Sequence, residues 1–233
     1  YARSMYNIQH TVTPNNGMLE VELECIRPDM EIHYTTDGSE PTATSPLYEK
    51  IVPVKEALTL KGAIFAHGRQ MGKTLILPVR WNLATAKPVL GTNPTEKLLT
   101  NGIRGSLKYS DFEWCSWADN DSVSFTIDLL KLEMLNTLIL GCITNNGMAI
   151  HKPASVRVEV SDDNSKFREA VVQSFTSEEI FREGNFIENL SLKLGGTQAR
   201  YVRVTAKGPG VCPASHVRPG QTSRIFFDEV MLE

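Results

Sequence analysis

The sequence predicts an all-β protein built from two β-sandwiches in series. Short runs of residues alternate between apolar and polar side chains, and turn-forming residues separate these runs. No stretch sustains the 3.6-residue period of an amphipathic helix, and only residues 177–184 hint at a helical turn. The 233 residues suffice for two ordinary domains, each with its own hydrophobic core.

The first sandwich is predicted over residues 17–83, after a polar lead-in over residues 1–16. The run Met18-Leu-Glu-Val-Glu-Leu-Glu-Cys25 alternates apolar and acidic side chains, as a half-buried strand does. Asp37 and Gly38 tolerate positive φ, so the chain is expected to reverse there. Further strands are predicted at residues 31–36, 57–66 and 74–81.

A linker is predicted over residues 84–94, where Pro88, Gly91 and Pro94 interrupt regular structure. The second sandwich is predicted over residues 95–233. Its clearest strand is Ser122-Val-Ser-Phe-Thr-Ile-Asp128. Further strands are predicted at residues 135–142, 155–160, 188–194, 199–206 and 224–232.

Charge and hydropathy exclude some functions. The 24 Lys and Arg residues against 27 Asp and Glu residues give a net charge of -3, which argues against nucleic acid as the main partner. No apolar run approaches the roughly 18 residues that span a bilayer, so we expect no membrane insertion. The chain opens on Tyr1-Ala-Arg-Ser4 without a signal peptide, as an excised fragment would.

The four cysteines are Cys25, Cys115, Cys142 and Cys212. They are far apart and have no C-x-x-C spacing, so their pattern does not predict a zinc site. The favoured interpretation is that they are buried small hydrophobic residues rather than a disulfide framework. A Cys115–Cys212 bridge is the alternative.

Two motifs carry a family resemblance. The run Tyr34-Thr-Thr-Asp-Gly-Ser-Glu-Pro-Thr42, followed by Ser45-Pro-Leu-Tyr48, resembles the fibronectin-like C-terminal domain of bacterial chitobiases and β-N-acetylhexosaminidases, over residues 17–80. Residues 88–233 resemble the discoidin or coagulation factor 5/8 type C domain, whose bacterial versions form family 32 carbohydrate-binding modules. The marks of that second resemblance are Leu99-Thr-Asn-Gly102, Trp114-x-x-Trp117, Phe125–Leu129, Val160–Phe167, Ala199–Val204 and Phe227–Val230.

The resemblance implies a small fibronectin- or immunoglobulin-like sandwich followed by a discoidin-type, galactose-binding-like jelly roll. The loop Gly210-Val-Cys-Pro-x-x-His216 also looks like the tails of glycoside hydrolase family 20 hexosaminidases from Bacteroides-like bacteria. The partner implied within the same polypeptide is a catalytic barrel. A periplasmic, outer-surface or secreted monomer would follow.

A calcium ion is also implied by the resemblance, because discoidin-type modules bind one through an acidic residue of the terminal strand. Glu229 would supply the carboxylate, and the Leu99–Gly105 loop would add backbone carbonyls. Asn101 stands where the family commonly has Asp, which predicts weaker binding. The alternative is a turn held by the Asn101 side chain itself.

A sugar site needs a flat apolar face together with polar groups for the hydroxyls. Trp114 is a candidate platform, with packing between strands as its alternative, whereas Trp117 is assigned to the core. Polar partners are sought near Trp114 and on the long loops, which carry most binding residues. The candidate carbohydrate-binding residues are Tyr109, Asp111, Trp114, His151, His216 and Arg218. For the two histidines, the favoured alternative is an exposed side chain without a partner.

No catalytic residue is predicted. There is no Ser-His-Asp order and no Gly-rich phosphate loop, and the Asp228-Glu229 pair sits on a terminal strand. The leading hypothesis is therefore a non-catalytic tail of a β-N-acetylhexosaminidase whose second module binds glycan weakly. The alternatives are purely structural domains that brace the catalytic barrel, and a module that adheres to a protein or cell surface.

Overall fold

The computed structural model describes residues 4–27, 29–117 and 122–233. The chain divides into two compact units, Tyr1–Trp81 and Asn82–Glu233. Each unit is built almost entirely of antiparallel strands, so the all-β prediction is confirmed. Within the described ranges, none of the helices has the length and apolar character needed to cross a bilayer.

The described residues of unit 1 form six strands in two three-stranded sheets. They are β1 (Ile8–Asn15), β2 (Met18–Cys25), β3 (Glu31–Thr35), β4 (Val52–Val54), β5 (Leu58–Ala66) and β6 (Arg69–Val79). The sheet orders are β1-β2-β4 and β3-β5-β6. Gly62 of β5 lies against the side chains of Ile8 and Leu23, so the two sheets pack face to face.

Strand β1 corrects the predicted lead-in over residues 1–16, of which residues 1–3 lie outside the described part. All eight residues of β1 pair with β2, from Ile8 opposite Cys25 to Asn15 opposite Met18. Ile8 and Val12 are buried. Gln9 and Thr11 between them are exposed and His10 is half-buried, and this alternation marks a strand rather than a tail.

The described residues of unit 2 form seven strands, one short α-helix and two 3-10 helices, Glu96–Thr100 and Asn146–Met148. The strands are β7 (Val89–Leu90), β8 (Cys115–Trp117), β9 (Ser122–Asn145), β10 (Ser155–Ser161), β11 (Arg168–Ser174), β12 (Asn185–Lys207) and β13 (Ile225–Leu232). They form one sheet with the order β11-β10-β12-β9-β13-β8, and β7 pairs with β9. Helix α1 (Ser177–Ile180) has a capping box between Thr176 and Glu179 and coincides with the predicted helical turn.

Strands β9 and β12 each join two strands that the sequence predicts separately. They pair antiparallel along almost their whole length, with two shifts of register. Leu130 on β9, and Gly195 and Gly196 on β12, have positive φ near these shifts. The sheet therefore bends at these points and encloses a core, instead of ending there.

The segment predicted as a linker, residues 84–94, is part of unit 2. Ala84 and Ala86 are fully buried, and β7 pairs with β9 inside the segment. The Asn82 side-chain oxygen accepts the backbone N–H groups of Ala84 and Leu232 at 2.8 and 3.1 Å. Proline and glycine did indicate an irregular path, but the small side chains between them pack into the core.

The core of unit 2 joins the inner faces of β9, β10, β12 and β13. Cys115, Cys142 and Cys212 of this unit are buried, Cys25 of unit 1 is half-buried, and all four are free thiols in the structure as described. The alternative Cys115–Cys212 bridge is therefore not formed. The interpretation as small hydrophobic residues fits the three buried cysteines.

Candidate functional site

Asp228 and Glu229 lie in a β-bulge of β13. Phe227 pairs with Cys142 and Val230 pairs with Leu140, so two residues of β13 face the single residue Gly141. Both acidic side chains are fully buried, so neither carboxylate is open to a substrate. A Cβ atom on Gly141 would overlap the carboxylate of Asp228, so glycine is what makes room for this bulge.

Asp228 fastens the loop of residues 99–105 to β13. Its Oδ2 atom accepts the Arg104 Nε–H at 2.6 Å and the Gly105 N–H at 3.0 Å, and Oδ1 accepts the Glu229 N–H at 2.7 Å. Burial raises the pKa of Asp228, and the Arg104 guanidinium opposes that rise. The Arg104 charge thus compensates part of the cost of burying the Asp228 carboxylate, and the ion pair holds the loop of residues 99–105 in place.

Glu229 has an incomplete set of partners. Its Oε2 atom accepts the Gly102 N–H at 3.0 Å, while Oε1 has no hydrogen-bond partner among the described residues. Burial, together with the neighbouring charge of Asp228, raises the pKa of Glu229 well above its ordinary value, and the Gly102 N–H, the Arg104 charge and the nearby Asn82 side chain oppose this rise. A buried carboxylate oxygen without a well-formed hydrogen bond is costly unless a donor such as the Asn82 amide, or a cation, approaches it.

Asn101 lies in the same loop as the partners of Glu229, so the structure brings the two predicted calcium residues together. Its Oδ1 atom accepts the Ile103 N–H at 2.9 Å, and its Nδ2 group donates to Glu113 at 3.2 Å. Asn101 therefore holds the turn, which is the alternative role given to it above.

Trp114 is part of the core, and its predicted role as an exposed sugar platform is wrong. Its side chain is 6% exposed and packs against Ile143, Ile150 and Phe226. The indole N–H donates to the backbone oxygen of Ser106 at 3.1 Å. Trp117 stacks on Phe125 in the core, as predicted.

Tyr109 and Asp111 shape the loop around Trp114 more than they face solvent. The Tyr109 ring packs edge-to-face on Phe226 at 6.2 Å. The Asp111 carboxylate accepts the backbone N–H groups of Ser106 at 2.7 Å and Glu113 at 3.2 Å. These bonds fix the backbone of residues 105–113, hereafter the 105–113 loop.

Phe112 is the exposed aromatic residue of the 105–113 loop, and the sequence reasoning missed it. Its side chain is 93% exposed, and its φ of 38° is in the left-handed region that bulky residues rarely adopt. Asp111 and Glu113 on either side are held by the bonds just described. Strained residues of this kind cluster at ligand-binding positions.

His151 and His216 are buried, so their predicted role as exposed hydroxyl contacts is wrong. His151 packs between the rings of Phe181 and His216, with centroids 5.0 and 4.9 Å away. Burial lowers the pKa of His151 to about 4, so its imidazole is neutral at neutral pH. One ligand atom from each of His151, Cys212 and His216 lies within 4.8 Å of the other two.

Arg218 remains exposed, but its side chain already has partners. The guanidinium donates to the Gly147 backbone oxygen, and to Gln221 at 3.3 Å. A shallow depression near Gly147 is lined by Asn145, Glu183, Asn185 and Val217, among others. These amide and carboxylate groups are the kind that bind hydroxyls.

Comparison with known families agrees with the two-unit architecture. The model of the chitobiase/beta-hexosaminidase C-terminal domain matches residues 14–75. The model of the F5/8 type C domain matches residues 84–217, which is more than half of the chain. This chain belongs to the F5/8 type C domain family. Both resemblances seen in the sequence are thus confirmed at the level of these domains.

Solved structures similar to this F5/8 type C protein include three bacterial domains. The module CpGH89CBM32-6 of Clostridium perfringens is 18% identical, with 66% of this chain and 98% of that chain covered and a TM-score of 0.43. A fucose binding module of Streptococcus pneumoniae is 18% identical, covering 66% and 97%, with a TM-score of 0.40. The C-terminal domain of a chitobiase from Bacteroides fragilis is 16% identical, covering 56% and 76%, with a TM-score of 0.34. No curated protein matches the chain.

Two features of the F5/8 type C unit were missed. Phe112 was overlooked beside the larger Trp114, although its place next to the turn-forming pair Ser110-Asp111 is a weak signal of exposure. The grouping of His151 with Cys212 was also missed. The two residues are 61 positions apart in the chain, and only the fold brings them together.

Proposed function

We propose that the F5/8 type C unit is a non-catalytic module that binds glycans, with Phe112 as the platform for a sugar ring. The observation that carries this proposal is the exposure of the Phe112 ring. The backbone of Phe112 has a strained conformation, and the hydrogen bonds of Asp111 hold it there. The CH face of a pyranose ring packs well on such a ring. The exposed ring is accessible without any rearrangement of the core.

The polar part of the recognition is assigned to the depression lined by Asn145, Glu183 and Asn185. The segment that contains Asn145 and the 105–113 loop both adjoin one buried cluster, which includes Trp114, Ile143 and Ile150. Both surfaces thus belong to the same end of the unit. Sites with so few contacts bind in the millimolar range, about 4 kcal/mol. The glycan would contain an N-acetylhexosamine or galactose.

The test is a titration of the full chain with GlcNAc, GalNAc, galactose and mucin-type oligosaccharides, followed by ligand-observed NMR. Phe112→Ala should weaken binding at least about tenfold, or about 1.4 kcal/mol, and leave the melting temperature unchanged because the ring is exposed. Leu107→Ala is the matched control, since Leu107 is an exposed apolar residue of the same loop. Equal loss in both variants, or no binding to any of these sugars, contradicts the proposal.

A second candidate is a purely structural role. It is favoured by one observation, the burial of both Trp114 and Trp117, which leaves Phe112 as the exposed aromatic of the loop. The sugar titration separates the two functions, because a bracing domain binds no glycan. Sedimentation with anionic phospholipid vesicles tests adhesion to a lipid surface through Phe112 and Leu107. Binding to the vesicles without binding to any sugar would also overturn the glycan proposal.

The calcium site is proposed at Glu229, with the backbone carbonyls of the 99–105 segment as further ligands. The unpaired Oε1 atom of Glu229 supports it, since a hard cation would supply the missing partner and favour the ionised carboxylate. Its role would be to hold the Asn101–Gly105 turn against β13. Chelation should then lower the melting temperature, because calcium at 100 times its Kd stabilises by about 2.7 kcal/mol.

Glu229→Gln is the variant for that test, because it keeps the size of the side chain and removes its charge. We expect Glu229→Gln to melt at the same temperature with and without calcium. If chelation leaves the melting temperature of the unsubstituted chain unchanged, the calcium proposal is wrong.

The proposed parent is a β-N-acetylhexosaminidase of glycoside hydrolase family 20 from a Bacteroides-like bacterium, with its catalytic barrel in the same polypeptide. The proposed location is periplasmic, outer-surface or secreted, and the proposed state is monomeric.

A further inference from the structure

His151, Cys212 and His216 form a buried group that the glycan proposal does not use. His151 lies beyond the end of β9, and the other two lie in the loop between β12 and β13. Backbone hydrogen bonds hold all three residues in place. The His151 N–H donates to the Arg224 oxygen at 3.1 Å, the Cys212 N–H to the Gln221 oxygen at 2.9 Å and the His216 N–H to the Pro213 oxygen at 3.0 Å. The positions of the three side chains are thus set by the fold.

His151 supplies an independent sign that something is missing from this group. Its side chain is fully buried, and neither ring nitrogen has a well-formed hydrogen bond in the part of the chain that the structure describes, although the Ile180 backbone lies close to one of them. A neutral imidazole offers one donor and one acceptor, and the Ile180 backbone can meet only the donor, so the other nitrogen is left unpaired in the interior. Its lone pair is available to a ligand within the group.

His216 is also poorly matched to its protein neighbours. Its Nδ1 atom accepts the Arg218 N–H at 3.0 Å, and its Nε2 atom lies 3.3 Å from the Asn146 side-chain nitrogen. The Asn146 oxygen accepts the Gly184 N–H, so its amide nitrogen is the group that faces His216. Both neighbours are donors, and no neutral tautomer of the ring satisfies both.

The donor set selects the chemistry of the ligand. Two imidazoles and one thiol, with no carboxylate in the group, suit a borderline-soft cation such as zinc and do not suit calcium or magnesium. The separations of up to 4.8 Å exceed the roughly 3.3–3.8 Å between ligands of one zinc ion by about 1 Å. The Ser223 hydroxyl, 3.3 Å from the Cys212 sulfur, stands beside the group as an oxygen for a fourth position.

We propose that His151, Cys212 and His216 bind one zinc ion, which ties the loop between β12 and β13 to the end of β9. The ion replaces the thiol proton of Cys212, which is released to solvent, and takes a lone pair from each imidazole. The two segments are 61 residues apart at Cys212 and His151, and this ligation adds to the hydrogen bonds that already join them, such as the one from Arg218 to the Gly147 oxygen.

The experiment uses the full chain, reduced, stripped with a chelator and returned to buffer with excess calcium, so that the Glu229 site stays filled. Zn²⁺ should bind with a stoichiometry of one and raise the melting temperature by several degrees. Co²⁺, added as a spectroscopic stand-in, should give a thiolate-to-metal charge-transfer band and intense visible bands of a tetrahedral site. Failure of the folded chain to bind Zn²⁺ overturns the proposal.

The variants assign the ligands. Cys212→Ser should abolish the thiolate band, while Cys115→Ser, the matched control for another buried thiol, should keep it. His151→Phe keeps a ring packed on Phe181 and should lose zinc binding. If Cys212→Ser does not fold, zinc binding by His151→Phe and the cobalt spectrum of the unsubstituted chain test whether these residues are the ligands. Zinc binding that persists in either variant overturns the assignment, whereas Glu229→Gln should bind zinc normally.

Discussion

Trp114 and Phe112 lie two residues apart and have opposite environments. The Trp114 indole is buried and hydrogen-bonded to Ser106, while the Phe112 ring is almost fully exposed. We expect Trp114→Ala to destabilise unit 2 by about 3–5 kcal/mol, because a large cavity and an unpaired Ser106 oxygen remain. Chemical denaturation measures this loss. Phe112→Ala is the control, and a Trp114→Ala variant as stable as the unsubstituted chain would contradict the core assignment.

The cysteines differ in reactivity because they differ in burial. Burial raises the pKa of Cys115 to about 12, despite the Thr95 hydroxyl that donates to its sulfur, and burial also raises the pKa of Cys142. The thiolate is the nucleophile, so neither residue should react with a maleimide in the native protein at about pH 8. Cys25 is half-buried and should be the thiol that is labelled first.

Mass spectrometry after a short exposure counts the labelled thiols. We expect one equivalent on the native chain, none on Cys25→Ser, and four after unfolding of the unsubstituted chain. Rapid modification of Cys115 in the native state would show that the β8 region opens more easily than its burial indicates.

The turn between β10 and β11 depends on Asp163. Its Oδ1 atom accepts the backbone N–H groups of Lys166 and Ser165, both at 2.9 Å. These bonds hold the pKa of Asp163 well below its usual range. The folded state therefore favours the carboxylate, so its contribution to stability is present above about pH 3.9 and is lost as the pH falls further toward the depressed pKa.

Asp163→Asn isolates this charge, since the amide oxygen still accepts hydrogen bonds. We expect the unsubstituted chain to melt at a higher temperature than Asp163→Asn at neutral pH. The difference should narrow as the pH falls below about 4. Melting curves that keep a constant separation between neutral and acidic pH would contradict this role for the ionised carboxylate.

The strands were largely predictable from the sequence, and their connections were not. Period-two alternation located β2 and β10, each of which has one buried face, and β5 and β13 were located to within a few residues as apolar runs that are buried on both faces. The joining of β9 from two predicted strands could not be read from alternation, which is interrupted at Leu130. The burial of Ala84 and Ala86 was hidden because small residues near proline are also typical of loops.

The candidate site was less predictable than the fold. Residue type did identify Asn101 and Glu229 as neighbours, through the resemblance of their motifs to a known family. It could not rank Phe112 against Trp114, because both are aromatic residues beside acidic ones, and only packing distinguishes them. His151 and His216 were assigned to exposed loops, but the loops fold inward and bring them to Cys212.

At the scale of the whole molecule, unit 2 has a core of its own, formed by residues from Ala84 to Leu232. We therefore expect residues 82–233 to fold without unit 1. Two-dimensional NMR of the isolated fragment should give dispersed amide signals that overlay on those of the full chain. A collapsed spectrum, or a broad thermal transition, would contradict this expectation.

Asn82 has a further consequence for the second unit. Its side chain binds the Leu232 N–H, and the Leu83 N–H donates to the Leu232 oxygen at 3.2 Å. The two chain ends of the unit therefore emerge side by side. A protein engineer could splice the unit into a surface hairpin of an unrelated scaffold with only short spacers, or reorder its sequence circularly, because neither operation has to bridge a gap.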